Sequence, residues 1–268
     1  MSARIRHIAI VSEQYALEGR FYEAVFGMRS ASDTRPERAV TVSDGYVGLN
    51  INPRKAGRAA GLDHFGLEVD DVDAVLARLR ERYPGVQVLA RPSTRPFAGI
   101  STHDPDGNVF DLSQKSMENR ASVYVDAERE QPRSISHIAI RTLNPERTAE
   151  FYAEVFGLEP LARKAGDASF ALSDGRVALV LMPWSILDYR GGGIARPGPD
   201  HIGFRVESVA GLKQHVAKVG DNNPHLRPLP VGAGPEGEAR LKLFASSCPY
   251  GDWHLADVDG VLIDVAER

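Results

Sequence analysis

The tetrapeptide HIAI occurs at 7–10 and again at 137–140. In the same register Phe21, Tyr22, Val25, Phe26 and Gly27 fall on Phe151, Tyr152, Val155, Phe156 and Gly157. Ser43-Asp44-Gly45 falls on Ser173-Asp174-Gly175, and Pro53 on Pro183. One register held over about fifty residues means a duplicated domain. At 268 residues the chain is long enough for two ordinary cores. Beyond Pro183 the offset grows: DHFGLEV (63–69) matches DHIGFRV (200–206), and DPDGNVFD (104–111) matches DVDGVLID (257–264). The second half has therefore gained residues, mainly in the Gly/Pro-rich stretches 184–199 and 221–253. Two domains are expected, 1–116 and 134–268, with the linker inside the polar stretch Lys115–Arg133.

Each half repeats a coarser unit. RIRHIAIV alternates with the period of a strand. A helix comes after it, with Leu17, Phe21, Val25 and Phe26 on one face and Gly27 at its end. In the copy Asn144 can cap the helix, Pro145 takes its first position and Gly157 ends it. Short strands come next, and HFGLEV then starts the pattern anew, succeeded by a helix carrying Val72, Val75, Leu76 and Leu79 at i, i+3, i+4, i+7. The expected fold class is α+β: four βαβββ modules, two per half, on curved and mostly antiparallel sheets.

Strand alternation places the histidines. In HFGLEV, Phe65, Leu67 and Val69 face one way and His64, Gly66 and Glu68 the other. In HIGFRV the apolar Ile202, Phe204 and Val206 oppose His201, Gly203 and Arg205. The apolar face must pack on the helices, so each histidine shares the other face with a glycine, which suits a concave pocket. His7 and His137 keep Ala9 and Ala139 as small neighbours. Asp111 and Asp264 sit in short strands, where aspartate is disfavoured, and they do so at equivalent places. Two histidines and a carboxylate from separate strands are the ligand set of a facial triad, which leaves positions open on a divalent metal, typically Fe(II). The bulk properties exclude other classes. A net charge of −4 offers no basic footprint for nucleic acid. No run approaches the ~18 apolar residues of a membrane span, and Met1–Arg20 has no signal-peptide core. One cysteine, Cys248, suits a reducing cytoplasm.

Together HIAI…FYxxVFG, DHxGxxV and DPDGNxxD resemble the vicinal oxygen chelate superfamily, which includes glyoxalase I, bleomycin-resistance proteins, extradiol dioxygenases and metal-dependent epimerases. The resemblance spans nearly the whole chain. It implies paired modules forming a U-shaped sheet around one metal, held by His137, His201 and Asp264 in one half, with His7, His64 and Asp111 as a second candidate set. The family's usual carboxylate is glutamate, so both aspartates are one methylene short. Modules pair either within each half or across the chain; in the second case His7 replaces His137 beside His201 and Asp264.

Fusion of two such halves is similar to the extradiol dioxygenases, whose C-terminal half generally bears the metal. Where those enzymes place an acid–base tyrosine, ten residues before the carboxylate, this chain has His254; Tyr250 is an alternative proton donor. The first half has Ser101 there. The glycine-rich PVGAGPEGEARLK reads as a mobile wall, with Arg240 and Lys242 solvated on it, and His215 also reads as solvated. The leading expectation is an Fe(II) extradiol-type dioxygenase acting on a small molecule with vicinal oxygens. The alternatives are a Zn, Mn, Ni or Co Lewis-acid lyase or isomerase, with His254, Tyr250 or Glu68 as base, and a metal-free sequestering module. Partners are confined to that small molecule and, as an option, a second copy of the chain in a homo-oligomer.

Overall fold

The computed structural model describes residues 3–30, 39–92, 97–115, 131–248 and 251–268. The expected linker falls almost wholly on 116–130, outside the described residues, as does Tyr250.

The first module runs β1 (Arg4–Ser12), α1 (Tyr15–Phe26), β2 (Arg29–Ser30), β3 (Val40–Ser43) and β4 (Gly48–Pro53). The second runs β5 (Gly61–Val69), α2 (Val72–Arg82), β6 (Val88–Ala90), β7 (Ile100–His103) and β8 (Val109–Gln114). The third repeats the first as β9 (Ser134–Thr142), α3 (Pro145–Phe156), β10 (Glu159–Pro160), β11 (Phe170–Ser173) and β12 (Ala178–Pro183). The added stretch after it holds α4 (Ile186–Gly192). The fourth module then begins with β13 (Gly198–Val206) and α5 (Val209–Asn222). It continues through α6 (Gly234–Ser247) to β14 (Trp253–Ala256) and β15 (Leu262–Glu267). Its first returning strand is reduced to a single bridge between Leu229 and Ala256. No helix among the described residues is long and apolar enough to cross a membrane.

Among these residues the strands form two mixed sheets, ordered β2-β3-β4-β1-β5-β8-β7-β6 and β10-β11-β12-β9-β13-β15-β14. Within each sheet the two modules meet through their first strands, antiparallel: β1 on β5 and β9 on β13. Module pairing is therefore within halves, and His7 does not join His201.

The helices pack the other way, across the halves. Helix α1 stops at Gly27, whose φ of +70° lets the chain reverse without a Cβ clash. Helix α3 begins where expected: the Asn144 side chain accepts from the Arg147 N–H at 3.1 Å, and Pro145 takes the first helical position. The Phe26 ring of α1 stacks on Phe204 of β13 at 3.8 Å, while Tyr152 of α3 lies against Phe65 and Phe110 of the first half. One hydrophobic cluster thus runs through both halves, each buried Phe adding ~2–3 kcal/mol of apolar transfer.

The repeated aspartate motifs clasp this interface reciprocally. Asp44 Oδ2 accepts from the Ile135 N–H at 2.8 Å, and Asp174 Oδ2 from the Ile5 N–H at 2.7 Å. Asp259 takes the Glu13 N–H at 2.8 Å, and Asp106 the Asn144 N–H at 2.9 Å. The last two satisfy backbone donors just before the other half's first helix, where a negative charge also suits the helix dipole.

Candidate metal centre

Strand register decides which side chains meet. In the second sheet Gly203 of β13 lies between His137 of β9 and Asp264 of β15, and His254 of β14 lies beside Asp264. Four adjacent strands so contribute the row His137–Gly203–Asp264–His254, with His201 two residues from Gly203 on the same face. The glycine is required: a Cβ at Gly203 would fall 2.0 Å from the His137 ring, which lies over it. Gly251 has a matching role, since a Cβ there would fall on the Asp264 carboxylate.

The donor atoms converge. His137 Nε2 is 3.3 Å from His201 Nε2 and 3.5 Å from Asp264 Oδ2. Cys248 Sγ completes the group, 3.3 Å from His201 Nε2 and 3.9 Å from His137 Nε2. One ligand atom from each of the four residues lies within 4.8 Å of all the others, and all four residues are buried. Burial, aided by His201, lowers His137 to about 3, so its ring is neutral. Asp264 is 0 % exposed, and neither carboxylate oxygen has a hydrogen-bond partner. His254 Nε2 comes within 3.0 Å of Asp264 Oδ1 but off the line of a hydrogen bond. A buried carboxylate left this way costs several kcal/mol unless a cation joins it.

Outer contacts fix the rings. Asp200, the residue before His201, accepts at 2.5 Å from His201 Nδ1, which leaves Nε2 as a lone pair aimed at the group. Arg141 Nε holds Asp200 at 2.8 Å, and Arg240 pairs with the same carboxylate. Burial opposes the charge on Asp200, but His201 and the two arginines hold it far below the usual carboxylate range. Phe244 packs between His201 and His254, with ring centroids 4.7 and 4.3 Å away.

Several expectations change here. PVGAGPEGEARLK is largely helix α6, because Pro235 is pre-set for a first turn and the Glu, Ala, Arg, Leu and Lys after it favour helix. Arg240 is buried on Asp200 instead of solvated. His215 Nε2 bonds the Ala24 carbonyl at 2.7 Å across the halves. Glu68 is buried in the first half beside Arg4, 3.6 Å away. Cys248 and Asp200 were the residues missed; the DH dipeptide repeated at Asp63-His64 and Asp200-His201 was the available signal for Asp200.

The first sheet builds the equivalent row His7–Gly66–Asp111–Ser101. His7, His64 and Asp111 also have donor atoms within 4.8 Å of one another. Their contacts differ. His64 Nε2 meets Asp111 Oδ2 at 3.1 Å and Nδ1 meets Asp63 Oδ2 at 2.8 Å, while Ser101 Oγ donates to the other Asp111 oxygen. Burial pulls His64 down, but bonds to the two carboxylates more than offset it and raise the ring to about 9. Phe97 stacks on His7 at 4.7 Å and fills the space over Gly66.

Comparison with known proteins agrees with this architecture. The family model described as Glyoxalase/Bleomycin resistance protein/Dioxygenase superfamily matches residues 4–112 and 134–265. "Uncharacterized protein YaeR" of Escherichia coli (strain K12) is 25 % identical over 124 residues, 42 % of this chain and 96 % of that protein. The Mn(II)-bound glyoxalase from Novosphingobium aromaticivorans superposes with a TM-score of 0.64 at 17 % identity, covering 99 % of this chain and 83 % of its own. The 2,3-dioxygenase LapB from Pseudomonas sp. KL28 gives 0.63 at 16 %, covering 100 % and 93 %. At these identities the solved structures speak for the fold.

Proposed function

Since this chain belongs to the glyoxalase/bleomycin resistance protein/dioxygenase superfamily, we propose that its second half is a metal-dependent enzyme centre for a small substrate with two adjacent oxygens. The reaction we assign to it is extradiol-type ring opening of a dihydroxylated aromatic. One observation carries the reading: His137, His201 and Asp264 bring donor atoms within 4.8 Å of one another, and the carboxylate has no hydrogen-bond partner. That favours a cation over a metal-free sequestering module.

The ion would supply either electron transfer between a chelated diol and dioxygen, as Fe(II) does, or Lewis-acid stabilisation of enediolate charge, as Zn, Mn, Ni or Co do. This chain's residues supply the rest. Asp200 fixes the tautomer of His201, and burial keeps His137 neutral. His254 Nε2, next to the carboxylate and against Phe244, is placed to take and return the substrate's hydroxyl proton. The Phe244 ring and helix α6 exclude water above it.

The test is oxygen uptake with a catechol panel after anaerobic Fe(II) loading, with a yellow ring-opened product expected. The second reading, a Lewis-acid lyase or isomerase, is favoured by the thiol of Cys248 beside the ligands. It gains the assignment if uptake is absent and Zn-, Mn-, Ni- or Co-loaded protein turns over a 2-oxoaldehyde hemithioacetal or a sugar ketone. Metal content under about a tenth of an ion per chain after loading would remove both readings.

A further inference from the structure

We propose that Cys248 is a fourth metal ligand, so that the resting centre is closed by a thiolate and a chelating substrate must displace it. The inference rests on the metal reading above and goes beyond the two-histidine, one-carboxylate set.

Three independent features converge. The first is spacing. Donors bonded to one ion at ~2.0–2.3 Å and tetrahedral angles stand roughly 3.3–3.8 Å apart. Three observed separations fall in that range, 3.3 Å for His137 Nε2–His201 Nε2, 3.3 Å for Cys248 Sγ–His201 Nε2 and 3.5 Å for His137 Nε2–Asp264 Oδ2, and Cys248 Sγ–His137 Nε2 lies just above it at 3.9 Å. The second is charge. The four residues are 0–3 % exposed, and an ionic imbalance at that depth is expensive. Two neutral imidazoles with one carboxylate leave a divalent ion at a net +1, whereas thiolate and carboxylate together cancel it. The third is the Asp264 carboxylate, wholly buried, without a hydrogen-bond partner and aimed into the same group.

On binding, the thiol gives its proton to solvent as the sulfur–metal bond forms, so loading is favoured as pH rises. A thiolate also favours the later divalent transition metals over Mg(II). Position makes the ligand displaceable. Cys248 is the C-cap of α6, the helix whose Arg240 grips Asp200 behind His201. Two substrate oxygens can reach the ion only if this helix end yields or the coordination shell expands.

The experiment uses full-length protein carrying His64→Ala, which confines metal binding to the second half. Co(II) is titrated anaerobically with the absorption spectrum and the bound stoichiometry recorded together. One cobalt per chain with an intense near-ultraviolet thiolate-to-cobalt band is expected. Cys248→Ser and Cys248→Ala should lose that band and weaken Zn(II) binding by more than the ~10–100-fold that an outer partner costs. Bound Zn(II) should also shield the Cys248 thiol from a disulfide reagent in the unsubstituted chain. Stoichiometric cobalt with no such band, or unchanged Zn(II) affinity in Cys248→Ala with its circular dichroism intact, overturns the inference while leaving the metal reading standing. Absence of bound cobalt overturns both.

Discussion

The two halves build the same row on the same four strands and complete it with opposite chemistry. In the first half, Arg58, Asp63, His64, Asp111 and Ser101 form one continuous chain of contacts. With His64 raised to about 9 the cation at its centre is an imidazolium, and Asp111 has a partner on each oxygen. In the second half the corresponding carboxylate, Asp264, has no hydrogen-bond partner, and the histidine facing it is held neutral. One row carries its own positive charge as a proton; the other calls for it from outside. What separates them is small: Ser101 against His254, Phe97 against the His137 ring over the glycine, and the added helix α6.

The largest effect expected from this difference is in metal content. His201→Ala should reduce the second-half ion to background in elemental analysis and abolish turnover, with the fold retained because the ring lies outside the main hydrophobic cluster. His64→Ala should leave both nearly unchanged. Equal losses from the two substitutions would erase the distinction between the halves.

Phe97 offers the next test. Its ring is fully buried, and at a φ of +67° it is the one non-glycine with positive φ among the described residues. Phe97→Ala should cost ~3–5 kcal/mol in denaturant unfolding. Phe97→Gly should be milder by ~1 kcal/mol, since glycine relieves the left-handed strain; the usual order of the two substitutions would be reversed. Neither should add a second ion per chain, because the hydrogen-bonded chain around His64 stays in place. A second ion in Phe97→Gly would mean that the aromatic ring alone keeps metal out.

Asp200→Asn should weaken metal binding ~10–100-fold by releasing the tautomer of His201. Asp63→Asn, the same change in the other half, should leave it unaltered. Isothermal titration with Zn(II) checks both, and a loss in Asp63→Asn would tie the first half into the centre.

Much of this contrast is legible in the sequence itself. The repeat reveals the duplication, and alternation puts each histidine opposite the helices with a glycine for company. Why glycine is needed is not legible, because the His137 ring reaches Gly203 only through a strand register that no local pattern encodes. Nor is Cys248. It arrives on α6, which has no copy among the described residues of the first half, so the repeat that exposes the other candidate ligands is silent there. The glycines and prolines of that stretch read as a loop, although Pro235 opens a helix and Gly232 and Gly234 lie at or before its start. The aspartates of DPDG and DVDG stand out as repeated, but their use in holding the opposite half depends on contacts between residues far apart in sequence.

A last difference lies in those clasps, where again the halves differ at one position. Thr148 of α3 sits by Asp106, its hydroxyl 3.2 Å from Oδ2. The equivalent residue of α1 is Glu18, 0 % exposed and beside Asp257, which also accepts from the Tyr22 hydroxyl at 2.9 Å. Burial, reinforced by Asp257, raises Glu18 to about 10, and Asp257 is raised too, so the pair keeps a proton at neutrality. A carboxyl whose folded pKa exceeds its unfolded value contributes stability that is complete below about 4.5 and is lost as pH climbs toward 10. The unsubstituted chain should therefore lose stability steadily between about pH 6 and about pH 9, a loss that Glu18→Gln is spared. Thr148→Val should shift Tm by the same amount at both pH values, having no proton to lose. Parallel curves for the unsubstituted chain and Glu18→Gln would show that the two carboxyls do not share a proton, and the asymmetry between the clasps would then be one of shape alone.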